Sequence, residues 1–214
     1  MDSVGKKLHK QAEEARESGD FTRALELTDQ AIVAYQNETD PAGFAEVLSS
    51  RFLTLRHLFE KTGDRNYLIL AKHSAVASLE IAKSSGNQQA MVIPLFNLAK
   101  AHETLGEITK AVDTYQKAVD NMKNNPPETH NRSGVVADLE IHLYSCQYQS
   151  GDKSALDGAE QALAKLEQSD EPEYNKHVWL SGGHMRIADM LRNDNPEKAK
   201  EHLQKAKEII DSNA

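Results

Sequence analysis

The chain has 214 residues, 39% of them hydrophobic, 6% aromatic and 27% charged, with a formal net charge of −8. That balance argues against nucleic acid as the main partner, because phosphate binding draws on clustered Lys and Arg. No run of about 18 uncharged apolar residues occurs, so no membrane span is expected, and the polar start MDSVGKKLHKQAEEARESG has no apolar core of a secretory signal.

The first predicted pair of helices covers Lys6 to Tyr35. Leu8, Ala12 and Ala15 form a narrow apolar stripe at helical spacing. Ser18-Gly19-Asp20 interrupts it, with Gly19 suited to a left-handed C-cap and Asp20 to an N-cap. Ala24, Thr28 and Ala31 then recur at the same period, joined by Phe21, Leu25, Leu27, Ile32 and Tyr35. After the break Asn37–Pro41, a helix carrying Phe44, Val47, Leu48, Phe52, Leu53, Leu55, Leu58 and Phe59 is apolar on most sides, which predicts a position between neighbours. Thr62-Gly63-Asp64 is the next turn, and a helix from Arg65 follows, with Leu68, Ala71, Ala75, Leu79 and Ala82.

The central stretch is LFNLAKAHETLGEITKAVDTYQKAV, Leu95 to Val119. Its spacing is Leu95-x2-Leu98-Ala99-x2-His102, then Ala111-x3-Tyr115-x2-Ala118, with a turn at Leu105-Gly106-Glu107. Pro94 predicts either a helix start near Ile93 or a bend in a helix that starts earlier. Asn124-Asn125-Pro126-Pro127 ends the pair. A fourth pair runs from about Arg132 to Ser150 and from Lys153 to Gln168, around Gly151-Asp152. The fifth holds Trp179, Met185, Ile187, Ala188 and Leu191, then Ala199-x3-Leu203-x2-Ala206 after Asp194-Asn195-Pro196. Pro196 fits the first position of the last helix.

The Leu95–Val119 spacing resembles the tetratricopeptide helix–turn–helix repeat, and the other pairs read as copies of it. The resemblance implies an all-α, right-handed superhelical α-solenoid of five helix–turn–helix hairpins, about ten helices. The expected organisation is one domain, 1–214, with repeats at about 3–37, 41–85, 88–124, 129–168 and 172–212. Gly19, Gly63, Gly106 and Gly151 lie 44, 43 and 45 residues apart, and Asp194 a further 43. The standard unit is about 34 residues. The excess predicts helices of roughly five turns, and such long units look like those of kinesin-light-chain and regulator-type members. Both end helices carry a narrow apolar stripe within a polar surface, in the last one Ala199, Leu203, Ala206, Ile209 and Ile210, which predicts capped ends and a whole five-repeat stack.

No G-x-S-x-G, phosphate-binding glycine loop, H-E-x-x-H or C-x-x-C occurs, so neither an enzyme nor a cofactor is expected. Cys146 is the sole cysteine, which excludes an intrachain disulfide and suits a reducing, cytoplasmic setting. His142 and Cys146 share a helix face, but two ligands do not make a metal site. His177 and His184 are two turns apart and read as helix-face positions around a buried Trp179. Gly182-Gly183 inside a helix costs about 1–2 kcal/mol and predicts either close helix approach, a later helix start, or a ligand at that point.

The family's binding surface is the concave face, lined by the first helix of each hairpin. Its nearest slots here hold His9, Glu13, Thr54, His57, Asn97, Lys100, His142, Ser145, Arg186 and Asp189, of which His57, Asn97, Lys100, His142, Arg186 and Asp189 are the preferred contacts. The Lys/Asn/Arg carboxylate clamp of members that hold peptide C-termini is not reproduced. The resemblance implies a protein- or peptide-binding scaffold, expected to be monomeric; the alternative is a homo-oligomeric scaffold assembling through hairpin faces.

Overall fold

A computed structural model describes residues 3–127 and 131–212. Among them ten α-helices occur and no strand. They are α1 (Val4–Glu17), α2 (Phe21–Glu38), α3 (Pro41–Thr62), α4 (Arg65–Ser84), α5 (Val92–Thr104), α6 (Ile108–Asn124), α7 (Ser133–Gln149), α8 (Ala155–Glu167), α9 (Glu173–Leu191) and α10 (Pro196–Asp211). A 3-10 turn at Gln89–Met91 precedes α5.

Local chemistry sets these boundaries. The Asp20, Asp40 and Asp64 carboxylates accept hydrogen bonds from the backbone N–H of Arg23, Gly43 and Asn66, satisfying donors that the first helical turn leaves open. Ser3 and Asn195 cap α1 and α10 in the same way. Gly19, with φ 81°, lets Asp20 N–H return to the carbonyl of Ala15 and close the end of α1. Gly106, with φ 78°, does the same after α5, where Glu107 N–H reaches the carbonyl of His102. Pro94 is the third residue of α5, where no N–H is required, and the α-helix starts at Val92, directly after the 3-10 turn.

The extra length per repeat is unevenly held. α3 and α4 have 22 and 20 residues, but α5 and α8 have 13 each. A uniform five turns per helix is therefore not what forms; part of the period lies in connecting segments.

The chain divides into two compact units, Met1–Glu107 and Ile108–Ala214. In the first, Phe52 and Leu55 of α3 pack with Ala71 and Ala75 of α4 and Ala101 of α5. Small residues on α4 and α5 let the long α3 approach closely. Tyr35 of α2 is buried beside Ala31 and Val47, and its ring edge lies against the bare backbone of Gly5 and Gly43. A Cβ at Gly43 would stand 2.2 Å from Tyr35 Cε1. The hydroxyl of Tyr35 is pushed up to about 12, first by burial and then by Glu46, Asp40 and Glu38.

In the second unit α7 is the most enclosed helix, burying residues on nearly every side. Ile141, Tyr148, Leu163, Leu166, Leu180, Ile187 and Leu191 form its core with Ala159, Ala162 and Ala199. α7 also buries Glu140, whose carboxylate meets Lys123 Nζ at 2.7 Å and Lys165 Nζ at 3.5 Å. Burial of that charge requires such partners. Lys123 is held above the usual lysine range, chiefly by this hydrogen bond. At the start of α7, Arg132 Nη1 lies 3.0 Å from the buried Glu171 carboxylate.

Three expectations are corrected here. Trp179 is half-buried at the edge of the core, not buried. Leu203 and Ile210 are 50% and 51% exposed; α10 turns Ala199 and Ala206 inward and leaves those two out. The apolar stripe on α10 is thus wider than the surface its neighbours cover. Third, α9 runs unbroken through Gly182 and Gly183, so a late helix start does not explain the glycines. Gly183 serves close approach, since its missing Cβ would stand 2.7 Å from Leu163 Cδ1, whereas the space beside Gly182 is open. Gly182→Ala should accordingly raise stability by about 0.5–1 kcal/mol through helix propensity alone. Urea unfolding checks this; a loss of stability would show that the glycine at 182 has another role.

Candidate functional site

The predicted contacts of the first unit gather on α3 and α5. His57 stacks on Phe21 of α2, with ring centroids 5.6 Å apart and planes 14° apart. Its Nδ1 lies 3.1 Å from Glu60 Oε2, and Arg56 Nε lies 3.1 Å from Glu60 Oε1. The Glu60 carboxyl is held below the usual range, first by the His57 hydrogen bond and further by Arg56 and by Lys100 across on α5. Lys100 Nζ sits 4.0 Å from the centre of the Phe96 ring, an attraction between cation and ring face. Lys61 reaches over Phe21 at 5.6 Å. The result is a partly exposed patch of alternating charge built on two aromatic rings, each held by a cation or imidazole.

Asn97 and Thr54 lie deeper. Asn97 is 4% exposed, and its Nδ2 has no hydrogen-bond partner among the described residues. A ligand on this face meets His57 and Lys100 before it meets Asn97. The Thr54 hydroxyl is turned inward and donates to the carbonyl of Ser50. On α1, His9 Nε2 lies 2.8 Å from Ser50 Oγ and 3.8 Å from Glu13 Oε1, and Arg16 also reaches Ser50 at 3.3 Å. Burial holds His9 below its ordinary range, against the opposing pull of Glu13 and Glu46.

In the second unit, His142 and Ser145 are buried on α7. His142 Nδ1 lies 3.1 Å from the hydroxyl of Tyr115 on α6, and its Nε2 lies 3.9 Å from Asp138. Cys146 is buried one turn on. Among the described residues no three His, Cys, Asp or Glu side chains are grouped to hold a metal ion. Arg186 is half-buried and Asp189 exposed on α9, where Asp189 accepts from Arg192.

Spacing along the chain pairs His184 with His177, but its partner in space is His202 of α10, Nδ1 to Nδ1 at 2.9 Å. These two line a pocket of about 240 Å³ with Glu160, Leu163, Glu167, Lys198 and Lys205. No sequence signal joins residues 184 and 202, because they lie on different helices with a turn of unpredictable geometry between them. Glu60, Phe21 and Phe96 also escape a reading by spacing, although Phe96 and Glu60 sit one position and one turn from residues it selects.

The hairpin architecture has counterparts. Residues 94–121 match the sequence profile of the tetratricopeptide repeat. Among solved structures, BtubC (BKLC) from P. vanneervenii is similar at TM-score 0.69 and 21% identity, over 97% of this chain and 80% of that one. A candidate kinesin light chain from Podosopora anserina, built of nearly identical TPR-like repeats, is similar at TM-score 0.64 and 14% identity, over 97% and 95%. A substituted form of that same protein gives 0.66 and 15%, over 95% and 93%. No curated protein matches the sequence. Residues 94–121 carry the tetratricopeptide repeat in sequence, and the chain as a whole has the TPR-like helical repeat fold that these structures share. No described helix is long and apolar enough to cross a membrane.

Proposed function

We propose that this protein is a non-catalytic, cytoplasmic scaffold that binds a protein or peptide along the first helices of its hairpins. Repeat folds of this kind generally mediate protein–protein interaction, and function rests on the surface each one presents. The observation that carries the reading is the α3–α5 patch. His57 and Lys100 stand partly in solvent on aromatic supports, and Glu60 is hydrogen-bonded to His57, so their side chains are pre-positioned and lose little entropy on binding. The proposed contacts are His57, Asn97 and Lys100 in the first unit and His142, Arg186 and Asp189 in the second. Asn97 and His142 act from beneath, by shaping the surface. An extended acidic or mixed-charge segment, or one helix, is the occupant that suits the first patch. The proposal also treats 1–214 as one domain of five repeats.

The test starts from a partner captured from native lysate. Lys100→Glu combined with Arg186→Glu should weaken that partner's affinity about tenfold or more, with the circular dichroism spectrum unchanged. Unchanged affinity places the contact on another face. The second reading, a homo-oligomeric scaffold joined through hairpin faces, is favoured by the exposure of Leu203 and Ile210 on α10. Sedimentation over a range of concentrations separates the two, since a strict monomer removes the second.

A further inference from the structure

The pocket between α8, α9 and α10 holds an arrangement that the scaffold reading does not use. His184 and His202 face each other Nδ1 to Nδ1 at 2.9 Å, with ring centroids 5.0 Å apart. Most of the separation between the rings is the nitrogen–nitrogen gap itself, so the two nitrogens point at one another. That geometry requires one N–H and one lone pair. A first proton can be accommodated, because an imidazolium on one side still donates to a neutral ring on the other. A second proton sets N–H against N–H, with two like charges, inside a partly enclosed site.

The surroundings decide how readily that happens. From α8 the pair faces Glu160 and Glu167; from α10 it faces Lys198, Lys205 and Glu201. Glu160 favours protonation of His202, opposed by Lys198, which pairs with it, and neither Glu160 nor any other carboxylate is felt at His184. Glu167 and Glu201 stand in solvent, where their pull on the rings is screened. Lys205 opposes protonation of both rings. A second proton on His184, which is 4% exposed, therefore meets little compensation.

We propose that the His184–His202 pair is an acid-sensitive latch that ties α10 to α9, closed while the pair carries at most one extra proton and opened when both rings are charged. Opening lifts α10 and uncovers the apolar surface beneath Ala199, Ala206 and Ile209. The direction of titration agrees. His184 is lowered to about 4, first by burial, then by His202 and Lys205, and His202 is lowered by burial and Lys205. Both rings therefore charge more readily when unfolded than when folded. The stability they contribute is complete above about pH 6.5 and is lost as pH falls from there toward about 4.

Hydrogen exchange on the full chain tests this at pH 7.5 and 4.5, corrected for intrinsic rates. Protection of α10 should fall about 10–100-fold at the lower pH, well beyond any change in α7. In His202→Asn one of the two titrating rings is gone and the amide can turn its oxygen to accept from a charged His184, so the fall should shrink at least about threefold relative to the unaltered protein. An equal fall in the variant, or α10 losing no more than α7, overturns the latch. Should the variant not fold, ring titrations of His184 and His202 in the unaltered protein decide the matter. Two independent titrations near pH 6.5 would refute it.

Discussion

Phe52→Ala is expected to destabilise the protein by about 3–5 kcal/mol, the range for removing a fully enclosed phenylalanine. Phe52 has no exposed surface, and its ring joins α3 to Ala71 and Ala75 of α4 and Ala101 of α5, with Leu25 of α2 beside them. Each of those alanines ends at its Cβ, so none can swing into the space that the ring leaves. The cavity therefore persists, and the cost belongs in the upper part of the range. The same variant tests whether 1–214 behaves as one domain. A cooperative unit of about 200 residues shifts its Tm by roughly 2–4 °C per kcal/mol, whereas one of about 100 residues shifts by roughly 4–8 °C. A single calorimetric transition, moved down as a whole, supports one domain. Separation into two transitions, with only the lower one moved, shows that Met1–Glu107 melts by itself and removes the one-domain proposal. No loss of stability at all would contradict the packing of Phe52.

That contrast between a local and a chain-wide response follows the line between what was legible in the sequence and what was not. The turns were legible because their causes are local. Gly19 and Gly106 need only a left-handed residue, and Asp20 and Asp64 need only an open N–H two or three residues on. Pro126 and Pro127 stop α6 for reasons internal to the backbone. The buried alanines Ala24, Ala71, Ala111 and Ala118 were legible too, since helical period places them on one face. Periodicity says which face is inward, however, and not what lies opposite. So Asn97, at a slot the family resemblance offers for contact, is nearly enclosed, while Leu203 and Ile210, on the apolar side of α10, stand in solvent. Glu140 and Glu171 carry no local signal of burial and are among the most deeply buried charges, each made tenable by a cation from another element. The His184–His202 contact belongs with these. For the candidate surface, His57 and Lys100 come from the slots that the family resemblance implies, but the groups that orient them, Phe21, Glu60 and Phe96, are fixed by packing between helices.

Gly43→Ala isolates one such packing effect and should cost about 2–3 kcal/mol despite adding a better helix former. The added Cβ would fall 2.2 to 2.7 Å from three carbons of the Tyr35 ring. That ring cannot retreat, because the same edge lies against Gly5 of α1, where even an ideal Cβ would come within 2.7 Å. The N–H of Gly5 also donates to Glu38 Oε1 at 3.0 Å, tying α1 to the end of α2 beside the ring. Relief therefore requires α1 or α3 to move, and with α3 goes the Asp40 cap that accepts from Gly43 N–H. Chemical denaturation of Gly43→Ala, Tyr35→Leu and the double variant measures the coupling. With the ring gone, alanine at 43 should be neutral or mildly stabilising, so the two substitutions should be far from additive. Additive costs would show that Gly43 is needed for its backbone freedom, and not for the space that Tyr35 fills.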